Sequence, residues 1–107
     1  QEMKRGRIKV TLYNRTLKEI DMSDFSYISE EFKTEGVVKI ELPEGVKKIG
    51  NNAFENCNNL EEVIFPDSLE EIGQEAFINC VNLKSAVYKK GVKVDPTSFK
   101  GCIQLER

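Results

Sequence analysis

Ile49-Gly50-Asn51-Asn52-Ala53-Phe54-Glu55-Asn56-Cys57-Asn58-Asn59-Leu60 is written again as Ile72-Gly73-Gln74-Glu75-Ala76-Phe77-Ile78-Asn79-Cys80-Val81-Asn82-Leu83. It returns a third time, worn down, as Val94-Asp95-Pro96-Thr97-Ser98-Phe99-Lys100-Gly101-Cys102-Ile103-Gln104-Leu105. The step from Phe54 to Phe77 is 23 residues and from Phe77 to Phe99 it is 22, and the cysteines and leucines keep these steps. A repeat of this length is one supersecondary unit that cannot bury its apolar face alone, so neighbouring copies stack into a solenoid.

Working outward from the repeat, each copy opens on a strand pattern: Val37-x-x-Ile40-x-Leu42, Leu60-x-x-Val63-x-Phe65 and Leu83-x-x-Ala86-x-Tyr88. The alternation in the second half of each is what a strand with one buried face requires. A turn follows at Pro43-Glu44-Gly45, Pro66-Asp67-Ser68 and Lys89-Lys90-Gly91, with Lys89 standing where the others have Pro. Pro presets φ for turning and Gly tolerates positive φ. A second extended segment then reads Val46-Lys47-Lys48-Ile49, Leu69-Glu70-Glu71-Ile72 and, one residue shorter, Val92-Lys93-Val94. Stacking sets Lys47 and Lys48 beside Glu70 and Glu71, with Lys93 on the far side, so opposite charges neighbour one another across parallel rungs. The last part is expected to be a short helical turn carrying Phe54, Phe77 or Phe99. In the third copy Asp95-Pro96 reads as an N-cap followed by Pro at the first helical position. The phenylalanines should form a buried spine, with Cys57, Cys80 and Cys102 beside it. The fold class expected is thus an α/β solenoid of about three 22–23-residue repeats: parallel strand, turn, second short extended segment, short helical turn.

Residues 1–36 break the period and read as an N-terminal strand/helix cap with a degenerate first repeat, ahead of the repeats at 37–107. Arg7 to Tyr13 alternates as a strand, and Asn14-Arg15-Thr16 is expected to turn the chain. That tripeptide also fits the N-glycosylation pattern, but a turn accounts for it. Leu17-x-x-Ile20-x-Met22 matches the repeat's strand pattern. Ser23 or Asp24 is then placed to cap a helix bearing Phe25, Ile28 and Phe32, closed by Gly36. Terminal repeats are atypical because one face meets water. At the other end Arg107 falls where a fourth strand should begin, so further repeats are expected in the parent protein, the alternative being that this stub is the last strand and leaves its outer edge exposed. Gln1 in place of an initiator Met fits a mature secreted product or an excised piece.

Composition bounds the function. With 107 residues, 39% hydrophobic and 32% charged, the chain suits one soluble domain. A formal charge of -2, with the 16 basic residues dispersed, argues against a nucleic-acid grip. No apolar run approaches the ~20 residues of a membrane span. The 3 cysteines all occupy one repeat position and there is no His, so they read as small buried hydrophobes and not as a zinc set or a disulfide framework. No metal or other cofactor is expected. The sequence offers no phosphate loop or nucleophile elbow, and the paired Glu61-Glu62 and Glu70-Glu71 point to opposite faces of an extended chain, so no enzyme is expected.

The repeat consensus has a familiar form. Leucine-rich repeats carry L-x-x-L-x-L followed by an Asn or Cys ladder. Leu42-Pro43 and Phe65-Pro66 after the strand, Ile49-Gly50 and Ile72-Gly73, and Ala-Phe-x-x-Cys-x-x-Leu at residues 53–60 and 76–83 resemble the BspA-like, or Treponema-type, subclass. The third copy departs from it, with Ser98 for Ala and Lys89 for Pro, and the resemblance spans Val37 to Leu105. It implies an extracellular or cell-surface bacterial protein built for adhesion or partner binding, the partner being a protein, such as a host or extracellular-matrix protein. It carries over structural positions and no ligand contacts.

Two functions compete on this reading. A protein-interaction module would use the strand residues that alternate outward, Lys39 and Glu41, Glu62 and Ile64, Ser85 and Val87, with Ile64 and Val87 side by side. The alternative is a structural spacer or cap that supports a neighbouring domain and has no ligand of its own.

Overall fold

The computed structural model describes residues 6–12, 17–22, 27–28 and 36–105. Among the described residues nine strands follow one another: β1 (Gly6–Leu12), β2 (Leu17–Met22), β3 (Tyr27–Ile28), β4 (Val37–Glu41), β5 (Lys48–Ile49), β6 (Glu62–Ile64), β7 (Glu71–Ile72), β8 (Ser85–Val87) and β9 (Lys93–Val94). They form two open sheets, one ordered β2-β1-β4-β6-β8 and the other β3-β5-β7-β9. From β4 onward each repeat gives one strand to each sheet, and every repeat-to-repeat pairing is parallel. The parallel strand, turn and second extended segment of the repeat are therefore all present.

The core lies between the sheets. Ile40, Val63, Ile49, Ile72, Leu60 and Leu83 are buried, each coming from a position where the repeat pattern is apolar. Phe54 stacks on Phe77 at 5.1 Å between ring centroids, and Phe77 stacks on Phe99 at 5.2 Å. Phe65 meets Phe77 edge-on at 5.9 Å. The aromatic spine read from the repeat is thus continuous.

The expected helical turn is not a helix; among the described residues there is none. Residues 51–56 form consecutive turns, in which the amides of Ala53 and Glu55 bond back to Gly50 and Asn52. The alternate amides, of Asn52, Phe54 and Asn56, reach forward to the carbonyls of Gln74, Ala76 and Ile78 in the next repeat. Asn52 and Asn56 take positive φ of 60° and 59°, and Glu75 and Asn79 repeat this at 54° and 61°. A left-handed residue at every fourth position interrupts a right-handed helix, and it frees every second amide to join the rungs. Asp95 Oδ1 accepts the Thr97 amide at 2.9 Å, but no helix follows it, so the bond closes a turn and is not the helix N-cap expected from the sequence. The segment it opens runs into turns of the same kind.

The N-terminal region also departs from expectation. Leu17–Met22 is a strand, yet it lies outermost, antiparallel to β1, and it is β1 that runs antiparallel beside β4. The match of Leu17-x-x-Ile20-x-Met22 to the repeat pattern was misleading for a steric reason. Only residues 13–16 separate β1 from β2, and so short a link joins antiparallel neighbours, whereas a parallel pair needs a crossover of a dozen or more residues. Ile28, expected on a helix, is on strand β3, which pairs in parallel with β5 and so extends the second sheet by one rung. The expected turn at Asn14-Arg15-Thr16, the Ser23 or Asp24 cap, and Phe25 and Phe32 lie outside the described residues.

Candidate interaction face

The outward face of the five-stranded sheet is assembled by register. Lys39, Glu62 and Ser85 are aligned across β4, β6 and β8, and Glu41, Ile64 and Val87 form the next row. All six residues expected on the face are thus brought together. Their neighbours Ile40 and Val63 point the other way and are buried, which is the period-2 alternation of a strand. Lys39 Nζ stands 3.9 Å from Glu62 Oε1. An ion pair as open as this contributes at most about 1 kcal/mol, so it orders the face more than it stabilises the fold.

Sequence reasoning missed part of this face. The antiparallel register of β1 sets Lys9 opposite Glu41 and Thr11 opposite Lys39, so both rows run on into the N-terminal hairpin. The one available signal was the four-residue spacing between β1 and β2. The second row then grades from charge to apolar surface: Lys9, Glu41, Ile64, Val87. Val87 is 77% exposed and Ile64 37%.

Polar side chains stitch the rungs from behind, and these too were not read from the sequence. The Ser68 hydroxyl accepts the Gly45 amide and donates to the Val46 carbonyl, both at 2.8 Å. Asn52 Nδ2 donates to Glu55 Oε2 and, across the repeats, to Glu75 Oε1. Gln104 Nε2 donates to Asn82 Oδ1, and Asn82 Nδ2 to the Asn58 carbonyl. Along the second sheet Lys48, Glu71 and Lys93 are in register as the charge pattern implied, with Lys48 Nζ 3.7 Å from Glu71 Oε2.

The cysteines form a buried ladder of free thiols. Cys80 Sγ donates to the Phe54 carbonyl and Cys102 Sγ to the Phe77 carbonyl, each at 3.1 Å. Hydrogen bonding to the Cys102 thiol, then to Cys57, then burial, pushes the Cys80 thiol far above its ordinary titration range. A thiol so held is a poor nucleophile and a poor ligand. Asp95 is shifted the other way, its carboxyl held below the usual range by the Thr97 hydroxyl and then by the Thr97 amide. Among the described residues no group of three or more His, Cys, Asp or Glu is placed to hold a metal ion, and no helix is long and apolar enough to cross a membrane.

Stacked strand-and-turn rungs that spend their invariant side chains on one another, and leave variable ones on an open sheet, define a leucine-rich repeat solenoid. The family model described as BspA type Leucine rich repeat region (6 copies) matches residues 26–107, so the chain belongs to that family. The match takes in β3 as well as the three full repeats. Repeats of this kind are in general non-enzymatic and mediate protein–protein interaction. None of the curated proteins or solved structures compared with the chain matches it.

Proposed function

We propose that the chain is a protein-binding module of a bacterial surface or secreted protein, serving adhesion, and that it engages its partner with Lys39, Glu41, Glu62, Ile64, Ser85 and Val87. The observation that carries this reading is the pair Ile64 and Val87. They are in register on adjacent strands, both exposed, and flanked by the Lys39–Glu62 row. One exposed apolar residue needs no explanation, but two side by side inside a polar rim have the anatomy of a small contact core. The family supports a protein as partner, and members of this kind are typically surface or secreted proteins. A host or extracellular-matrix protein fits that setting.

The test is a double variant, Ile64→Lys with Val87→Lys, measured by biolayer interferometry against a panel of immobilised extracellular-matrix proteins. Where the parent chain binds, the variant should bind at least about tenfold more weakly, the loss expected from removing a contact-core residue. Unchanged affinity for every protein bound would remove the face from consideration and favour the spacer reading.

A further inference from the structure

The two rows of the outward face differ in how their charges are matched. In the first, Lys39 and Glu62 stand 3.9 Å apart and offset one another. The second runs Lys9, Glu41, Ile64, Val87 across β1, β4, β6 and β8. Lys9 and Glu41 are opposite in register, yet among the described residues neither is in an ion pair. Lys9 is exposed and Glu41 half-buried. This row therefore presents a cation, an anion and two apolar side chains in a fixed order.

Two features of the sheet limit what can read this order. First, β1, β4 and β6 each have a strand on both sides. Their main-chain groups are spent within the sheet, so an extended peptide finds no ladder to join along them. Recognition here rests on side chains alone, at steps set by a strand spacing of about 4.8 Å. Second, the row begins on the N-terminal hairpin, ahead of the matched repeats at 26–107. β1 widens the face from three strands to four, from about 14 to about 19 Å, toward the roughly 800 Å² per partner that a stable complex covers.

We propose that this row sets partner choice at the face, and that its occupant is a folded protein. That protein presents a carboxylate over Lys9, a cation over Glu41 and apolar side chains over Ile64 and Val87. Lys9 thereby joins the protein-binding face, on which the proposal rests, as a specificity residue from outside the repeats. A partner with the two charges exchanged meets two like-charge contacts, and such mismatches exclude wrong partners. A folded surface is required because no main-chain bonds align the occupant, so its groups must be held at the right spacing beforehand.

Charge exchange tests the row at constant net charge. Lys9→Glu with Glu41→Lys, and Lys39→Glu with Glu62→Lys, each leave the formal charge at -2, so long-range steering by net charge is the same in both. The probes are the matrix proteins that the parent chain binds in biolayer interferometry. The first exchange should weaken their binding at least about fivefold. The second should cost less than about twofold, because it keeps an opposite-charge pair in place. The neutral pair Lys9→Gln with Glu41→Gln also keeps the net charge and should lose about two- to threefold, which guards against misfolding of the exchanged chain. If Ile64→Lys with Val87→Lys weakens binding while both Lys9–Glu41 variants leave it intact, or if the two exchanges cost the same, the row assignment fails and the face survives. If none of these variants matters, or the panel holds no binder, both fail. A partner bound equally well after it has been unfolded would overturn the folded occupant.

Discussion

Replacing Phe77 by Ala removes the middle ring of the spine. Phe77 is fully buried, stacked between Phe54 at 5.1 Å and Phe99 at 5.2 Å, with Phe65 edge-on at 5.9 Å. Truncating a buried Phe costs about 3–5 kcal/mol, depending on how far the site can collapse. Collapse is hindered here, because the repeats that carry the rings are held at fixed spacing by backbone bonds between them, such as Phe54 N–H to the Ala76 carbonyl. The upper half of that range, about 4–5 kcal/mol, is the expected loss. Phe99→Ala makes the internal comparison. That ring is half-buried at the open end, with Phe77 on one side and Tyr88 more distant at 6.4 Å. Part of its burial is missing and its surroundings can relax, so the loss should be nearer 2 kcal/mol.

Urea unfolding followed by circular dichroism reads both numbers. Against a typical domain stability of about 5–15 kcal/mol, the first variant should be marginal and the second plainly folded. Equal losses, or a loss below about 2 kcal/mol at Phe77, would refute the view that the spine couples the repeats.

Two further predictions probe the rungs themselves. Because the Cys80 thiol is pushed above its ordinary range, the folded chain keeps a proton that the unfolded chain releases above about pH 8.5. The stabilisation is complete below that pH and is lost as pH rises. Unfolding free energies from urea titrations between about pH 7.5 and 10 should therefore fall further for the parent than for Cys80→Ala, by about 2 kcal/mol in all, with the slope difference nearing about 1.4 kcal/mol per pH unit only at the alkaline end, and parallel curves would sink the idea. A Cβ at Gly73 would stand 2.6 Å from Asn51 Oδ1 and 2.9 Å from the Ile49 carbonyl oxygen. Gly73→Ala should cost about 1–3 kcal/mol, and adding Asn51→Ala should recover only the side-chain share. Full recovery in that double mutant would show that backbone contact between rungs is not what demands glycine there.

The repeat was legible because its buried positions recur as residue types: Phe at 54, 77 and 99, Cys three residues further on, Leu three beyond that. Those types are dictated by burial alone, so one chain suffices to see them. The outward positions were legible for the same reason, since a strand whose Ile40 and Val63 face the core must turn Lys39 and Glu62 away from it. Two features were hidden. Whether a segment such as Asn51 to Asn56 coils into a helix or flattens into turns depends on where alternate amides find acceptors. Those acceptors, at Gln74, Ala76 and Ile78, lie in the next repeat, beyond any local window. The placement of β2 was hidden because its pattern satisfied the repeat while its distance from β1 did not.

The bonding scheme also explains why function must be sought where the copies differ. The ladder pairs that hold one repeat to the next are backbone bonds, such as Glu61 N–H to the Val38 carbonyl and Lys84 N–H to that of Glu61. Backbone bonds place no demand on side chains that face away from the core. The row Lys9, Glu41, Ile64, Val87 accordingly changes from cation to anion to two apolar residues without any break in its register. A position free of structural demand drifts unless something outside the fold holds it. An adjacent pair of exposed apolar residues carries a solubility liability and so calls for such an outside constraint more than the charges beside it do.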